Sequence, residues 1–233
     1  MNYSNPVWIS ARKYAQKAHL LRPAVGLFRR IARKQYEERF HEACLAAVRP
    51  GDVVWDIGAN VGLYTREFAL RAGENGRVVA FEPSPRALEE LRKKVSGMTN
   101  VIIEECALSD STGTAKFYSS SLAVVDGLSR KLSEGTLDTY DVQVMRGENF
   151  AAVHGVPAVI KIDVEGFEPE VIRGLSNCIQ AETVRTVLIE VHFAALNDRN
   201  LSRAPREIAH FLESAGYGLN WTDPSHLVAT RAN

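Results

Sequence analysis

The segment Asp56-Ile57-Gly58-Ala59-Asn60-Val61-Gly62 sets a carboxylate at the mouth of a glycine loop. Glycines admit a left-handed backbone and let a ligand approach the main chain closely, and Asn is the next residue type to tolerate that region, so Asn60 can replace a glycine. The G-x-N-x-G spacing is not the G-x-G-x-x-G dinucleotide fingerprint, and no G-x-x-x-x-G-K-[ST] segment occurs. Asp56 would repel a bound phosphate but attract a ligand carrying an ammonium or sulfonium group. Glu82 stands 26 residues further on, at the end of a second β-rich run, where a carboxylate can accept both ribose hydroxyl protons. That ligand profile fits S-adenosylmethionine. The plainer reading is a tight strand-to-helix turn capped by Asp56, with Glu82 in solvent. It leaves two acids at consecutive strand ends without a task.

A sulfonium ligand of this kind can pass its methyl group to an acceptor by in-line displacement. The protein has to align donor and acceptor and, for a poorly acidic hydroxyl, remove its proton. Asp163, Glu165 and His192 are the candidates, with Asp163 or His192 as the base and Lys161 and Glu165 orienting one another or the substrate. Each has a plainer alternative: Lys161 and Glu165 form an ordinary ion pair, His192 makes a structural hydrogen bond, and Glu168 and Glu170 favour a helix N-terminus. Asp163 with Glu190 would suit magnesium or calcium, but no second close carboxylate motif supports that idea, and no metal site is expected. H-E-x-x-H and G-x-S-x-G motifs are missing from the sequence, which leaves zinc hydrolysis and serine-esterase chemistry without support.

These groups need elements to carry them. Val53 to Ile57 reads as a strand, and Val61, Tyr64, Phe68 and Ala72 recur at helical spacing after the loop. Val78 to Phe81 repeats the strand, and Ser84-Pro85 supplies an N-cap and first-turn proline for a helix burying Leu88, Leu91 and Val95. Further strands are expected at 101–103, 159–162 and 187–189, with helices after the last two, around 171–175 and 205–216. This alternation specifies a parallel sheet covered on both faces, and the 217–221 and 226–230 stretches add an antiparallel pair at one edge. Residues 107–155 fit the alternation poorly. They read as an insertion with β-like pieces at 116–118 and 142–144, which either shapes a binding site or is simply an extra hairpin.

The chain of 233 residues has 28 basic and 28 acidic side chains and 45% hydrophobic residues, an ordinary globular profile. Residues 1–50 hold ten Lys/Arg and three Asp/Glu, a net of +7, which leaves the other 183 residues at −7. This segment is read as an N-terminal helical extension broken near Pro23, ahead of a domain spanning 51–233. Its charge reads either as a solvated face or as an anchor on an anionic membrane surface, with Trp8, Leu20, Leu21, Phe28 and Ile31 interspersed. No nucleic-acid partner is expected. Three cysteines, Cys44, Cys106 and Cys178, form no C-x-x-C pair, and no early apolar run exceeds the six residues 43–48. A cytoplasmic protein without a span or secretion signal is expected, peripheral at the inner membrane face if the basic helices bind lipid.

The stretches VVWDIGANVGLYT (53–65), VVAFEPSP (78–85), ECALSDSTG (105–113), VIKIDVEGFEPEVIRG (159–174) and LIEVH (188–192) resemble the FkbM family of class I S-adenosylmethionine-dependent methyltransferases. The resemblance implies a Rossmann-like α/β fold with a seven-stranded, mostly parallel sheet and one antiparallel edge strand. It further implies that Asp56, Gly58, Ala59, Asn60 and Gly62 lie at the methionine end of the cofactor, Glu82 at its ribose and Cys106-Ala107 at its adenine. It also implies O-methylation of a sugar, glycan or specialised metabolite; a non-catalytic binding module of the same fold is the alternative. Where family members often carry a Leu-Asp pair before the K-I-D-V-E-G strand, this chain has Met145-Arg146.

Overall fold

The computed structural model describes residues 38–120 and 137–231. Most of the expected N-terminal extension, with its helix break near Pro23 and its lipid-facing candidates, lies outside them, as does the centre of the insertion. The strands are β1 (Val53–Ile57), β2 (Arg77–Phe81), β3 (Val101–Glu104), β4 (Ala107–Ser109), β5 (Gly113–Ser120), β6 (Leu137–Arg146), β7 (Val159–Ile162), β8 (Thr186–Glu190), β9 (Tyr217–Trp221) and β10 (His226–Arg231). The helices are α1 (38–47), α2 (Leu63–Ala72), α3 (Pro85–Lys94), α4 (Glu148–His154), α5 (Glu168–Gly174), α6 (Ser176–Gln180), α7 (Phe193–Asp198) and α8 (Ala204–Ser214).

The main sheet has seven strands in the order β3-β2-β1-β7-β8-β10-β9. Its first five are parallel, and β10 runs antiparallel to both β8 and β9. The antiparallel strand therefore lies one position in from the edge. Because strand side chains alternate, one face presents Trp55, Ile57, Val79, Phe81, Ile160, Ile162, Val187 and Ile189 to the helices α5 to α8. The opposite face presents Val54, Val78, Val159 and Leu188 to α1 and α2. Both layers are largely apolar, so the central strands read as apolar runs in which buried Asp56 and Lys161 are the exceptions.

Phe40 and Cys44 of α1, with Val48 after it, are buried in the second layer, and the Phe40 ring stacks on His226 of β10 at 4.2 Å. Phe40→Leu, which keeps most of the apolar volume but loses the stacked ring, is expected to cost about 1–1.5 kcal/mol. Urea unfolding checks this; an unchanged midpoint would detach α1 from the core.

The insertion forms a second sheet in the order β4-β6-β5, with β4 parallel and β5 antiparallel to β6. Its strands run well beyond the two short pieces expected, and Ala107–Ser109 is a strand as well. The reason is alternation. Ala107, Ala115, Phe117, Tyr140, Val142 and Val144 share one small apolar layer, while polar residues such as Lys116, Asp141 and Gln143 interrupt every apolar run.

Candidate active site

The loop after β1 is held by its neighbours. The backbone N–H groups of Gly58 and Ala59 both donate to the Phe81 carbonyl, at 3.0 and 3.1 Å. Gly58, Asn60 and Gly62 all take left-handed backbone, at φ 77°, 50° and 78°. At Gly58 the need is also steric, since a Cβ there would lie 1.8 Å from the carbonyl oxygen of Asp163. Glu82, 5% exposed, closes the arrangement: Oε2 accepts from the Asn60 N–H at 2.7 Å and Oε1 from the Ser84 N–H at 2.8 Å.

A cleft of about 720 Å³, counting its open mouth, runs along these strand ends. Gly58, Asn60 and Glu82 line it on one side, Cys106, Ala107 and Phe117 on another, and Asp163, Glu165 and Phe167 on a third. The small sheet closes over it, with Tyr140 donating its hydroxyl to Ser84 Oγ at 3.1 Å. Asp56, Ala59 and Gly62 lie behind this surface. Ala59 packs with Leu88 and Leu91 of α3, and a Cβ on Gly62 would meet the Leu91 side chain at 2.5 Å.

Asp56 is fully buried because its position on β1 points toward α2, where Thr65 donates its hydroxyl to Oδ2 at 2.6 Å. Its cross-strand neighbour on β7 is Lys161, also buried, whose Nζ lies 3.3 Å from Asp56 Oδ1, 3.4 Å from Asp163 Oδ2 and 3.3 Å from the Gly58 carbonyl. Burial disfavours this ammonium, but Asp56 and Asp163 outweigh that and hold its pKa above the usual lysine value. The expected pairing of Lys161 with Glu165 gives way to this arrangement. Glu165 follows a left-handed turn, at φ 51°, that carries its side chain to His192 instead.

His192, just past β8, is ringed by acids. Its Nδ1 lies 2.7 Å from Glu168 Oε1, and its Nε2 lies 3.2 Å from Glu165 Oε2 and 3.7 Å from both Asp163 Oδ1 and Glu190 Oε1. Burial works against the imidazolium, yet Glu168, Glu165 and Asp163 keep its pKa well above the usual imidazole value. Burial pushes the Glu165 carboxyl up to about 7, against the pull of His192 and with the support of Asp163 and Glu190. Asp163 and Glu165, which line the cleft, thus meet His192, which is not part of the lining, each with a metal-ligand type of atom facing the others.

Two features escaped the sequence. Glu168 looked like an ordinary first-turn acid but is fully buried, accepts from the Gly166 N–H at 3.0 Å and holds His192. Behind the site, Glu190 Oε2 lies 3.4 Å from His226 Nε2, and His226 Nδ1 lies 2.6 Å from Asp223. Nothing in the spacing of residues 190, 223 and 226 announces that contact, because β10 reaches β8 only through the antiparallel pairing.

The fold, with its loop, acidic strand ends and cleft, is that of a class I S-adenosylmethionine-dependent methyltransferase. A putative rRNA-methylase from Clostridium thermocellum shares it at a TM-score of 0.50 with 15% identity, covering 82% of this chain and 94% of that one. The methyltransferase FkbM domain matches residues 56–219, and the chain belongs to that family, with S-adenosylmethionine as cofactor. It is 27% identical over 199 residues to the hexuronic acid methyltransferase AglP of Haloferax volcanii, covering 79% of each chain. It is 29% identical over 196 residues to the 31-O-demethyl-FK506 methyltransferase FkbM of Streptomyces tacrolimicus, covering 67% of this chain and 73% of the relative.

Proposed function

We propose that this methyltransferase acts on oxygen, with the hydroxyl of a sugar, glycan or specialised metabolite as acceptor. The observation that carries the reading is that Asp163 and Glu165 line the cleft together with Gly58 and Asn60 and meet His192 there from β8. The names of two relatives, one acting on a hexuronic acid and one on a 31-O-demethyl compound, agree with it. In the reaction the acceptor oxygen forms a bond to the methyl carbon as the carbon–sulfur bond breaks. The electron pair of that bond stays on sulfur as a thioether, and the hydroxyl proton passes to the Asp163 carboxylate. Lys161 holds Asp163 in place from behind the loop. A cytoplasmic setting belongs to the same proposal: all three cysteines are buried free thiols, and among the described residues no helix is long and apolar enough to cross a membrane.

The test is a screen of deoxysugars, glycosides and polyketide hydroxyls, reading S-adenosylhomocysteine release and the site of methylation by mass spectrometry and NMR. Asp163→Ala and His192→Ala are each expected to slow transfer about 100-fold or more while cofactor binding persists. Methyl found on nitrogen or carbon would reject the oxygen reading. Cofactor binding without turnover on any acceptor would favour the non-catalytic module.

A further inference from the structure

Asp163, Glu165 and His192 come from the end of β7, the turn after it and the end of β8, yet one atom of each lies within 4.8 Å of the other two. His192 Nε2 is 3.2 Å from Glu165 Oε2 and 3.7 Å from Asp163 Oδ1. Ligands at about 2.1–2.3 Å on adjacent positions of an octahedral ion stand roughly 3 Å apart, so small side-chain rotations bring all three onto one cation.

A second observation lies outside the trio. Glu168 is fully buried, its Oε1 sits 2.7 Å from the far nitrogen of His192, and its Oε2 has no hydrogen-bond partner among the described residues. A buried carboxylate behind a histidine fixes the tautomer that turns the Nε2 lone pair outward, the outer-shell arrangement of metal-bound histidines. Among the described residues the local charge also does not close. Lys161 answers Asp56 and Asp163, and His226 answers Asp223 and Glu190, which leaves His192 alone between Glu165 and Glu168. An excess of partly buried carboxylate is relieved by a proton or by a metal.

We propose that Asp163, Glu165 and His192 bind a divalent cation, with Glu168 orienting His192 from behind. One imidazole nitrogen and two carboxylate oxygens suit Mn²⁺ better than Ca²⁺, which takes oxygen ligands. Three protein ligands leave open positions bordered by Glu190, where a bound hydroxyl gives up its proton more readily. This use of the cation rests on the methyl-transfer reading; the site itself does not.

The full chain, stripped with a chelator, is titrated with MnCl₂ while free Mn²⁺ is read by electron paramagnetic resonance. One equivalent is expected to bind. His192→Ala and Asp163→Asn should each raise the Kd at least tenfold, and the outer-shell change Glu168→Gln about tenfold or more. A cooperative thermal transition in each variant shows that it folds, and Glu165→Gln carries the comparison if His192→Ala does not. Binding short of one equivalent, or equally tight binding to His192→Ala and Asp163→Asn chains, which marks an adventitious ion only, overturns the site. Calorimetry of the wild type with S-adenosylhomocysteine is read separately: failure there strikes the methyl-transfer reading and leaves the Mn²⁺ result to stand or fall alone.

Discussion

Glu82→Ala is expected to weaken S-adenosylhomocysteine binding about 100-fold or more. Its two oxygens accept the backbone N–H groups of Asn60 and Ser84, and the carboxylate lines the cleft. A ribose whose two hydroxyls donate there makes two hydrogen bonds to a charged group, each worth about 1.5–3 kcal/mol. Losing both is about 3 kcal/mol at the least, and each 1.4 kcal/mol is tenfold in Kd. The variant also releases the Asn60 and Ser84 amides, so the loop after β1 loosens along with the cofactor contact. Glu82→Gln keeps an acceptor oxygen and the side-chain shape, and is expected to lose about tenfold. Isothermal titration of the three proteins decides. A Glu82→Ala chain that binds within threefold of wild type would remove Glu82 from the ribose.

How far the sequence carried depends on the range over which each signal acts. The parallel core was legible because its strands are buried on both faces and read as apolar runs broken in the two central strands only by Asp56 and Lys161, and because the positive φ at Gly58, Asn60 and Gly62 is a local demand on residue type. The small sheet was only half legible, since the alternation of Phe117 with Lys116 and of Val142 with Asp141 leaves runs too short to stand out. The side-chain partners were the least legible. Asp56 was expected to face the ligand, but strand parity turns it inward to Thr65 and Lys161. Glu168 was taken for a helix-dipole acid, and only the approach of β8 to the start of α5 shows that it meets His192. Parity and cross-strand register are properties of the assembled sheet, and motif spacing does not contain them.

Lys161→Met is expected to cost about 3–5 kcal/mol of folding stability, the usual penalty for removing one member of a buried ion pair. The ammonium is nearly enclosed, and its loss leaves fully buried Asp56 with only the Thr65 hydroxyl as a donor among the described residues. Methionine fills the space of the lysine stem, so the effect is one of charge more than of volume. The double variant Lys161→Met/Asp56→Asn removes both charges, and is expected to recover at least about half of the loss, because the penalty lies in the uncompensated carboxylate. Urea midpoints of the wild type, both single variants and the double variant complete the cycle. A single-variant cost below about 1 kcal/mol would mean that water or a proton on Asp56 satisfies this charge in place of the ammonium. Cofactor binding should follow a different pattern. Lys161 also reaches the Gly58 carbonyl and Asp163, so the double variant regains stability without regaining the alignment of loop and rim. The same ammonium thus joins β1, the glycine loop and the end of β7, and this explains why a lysine occupies an otherwise apolar central strand.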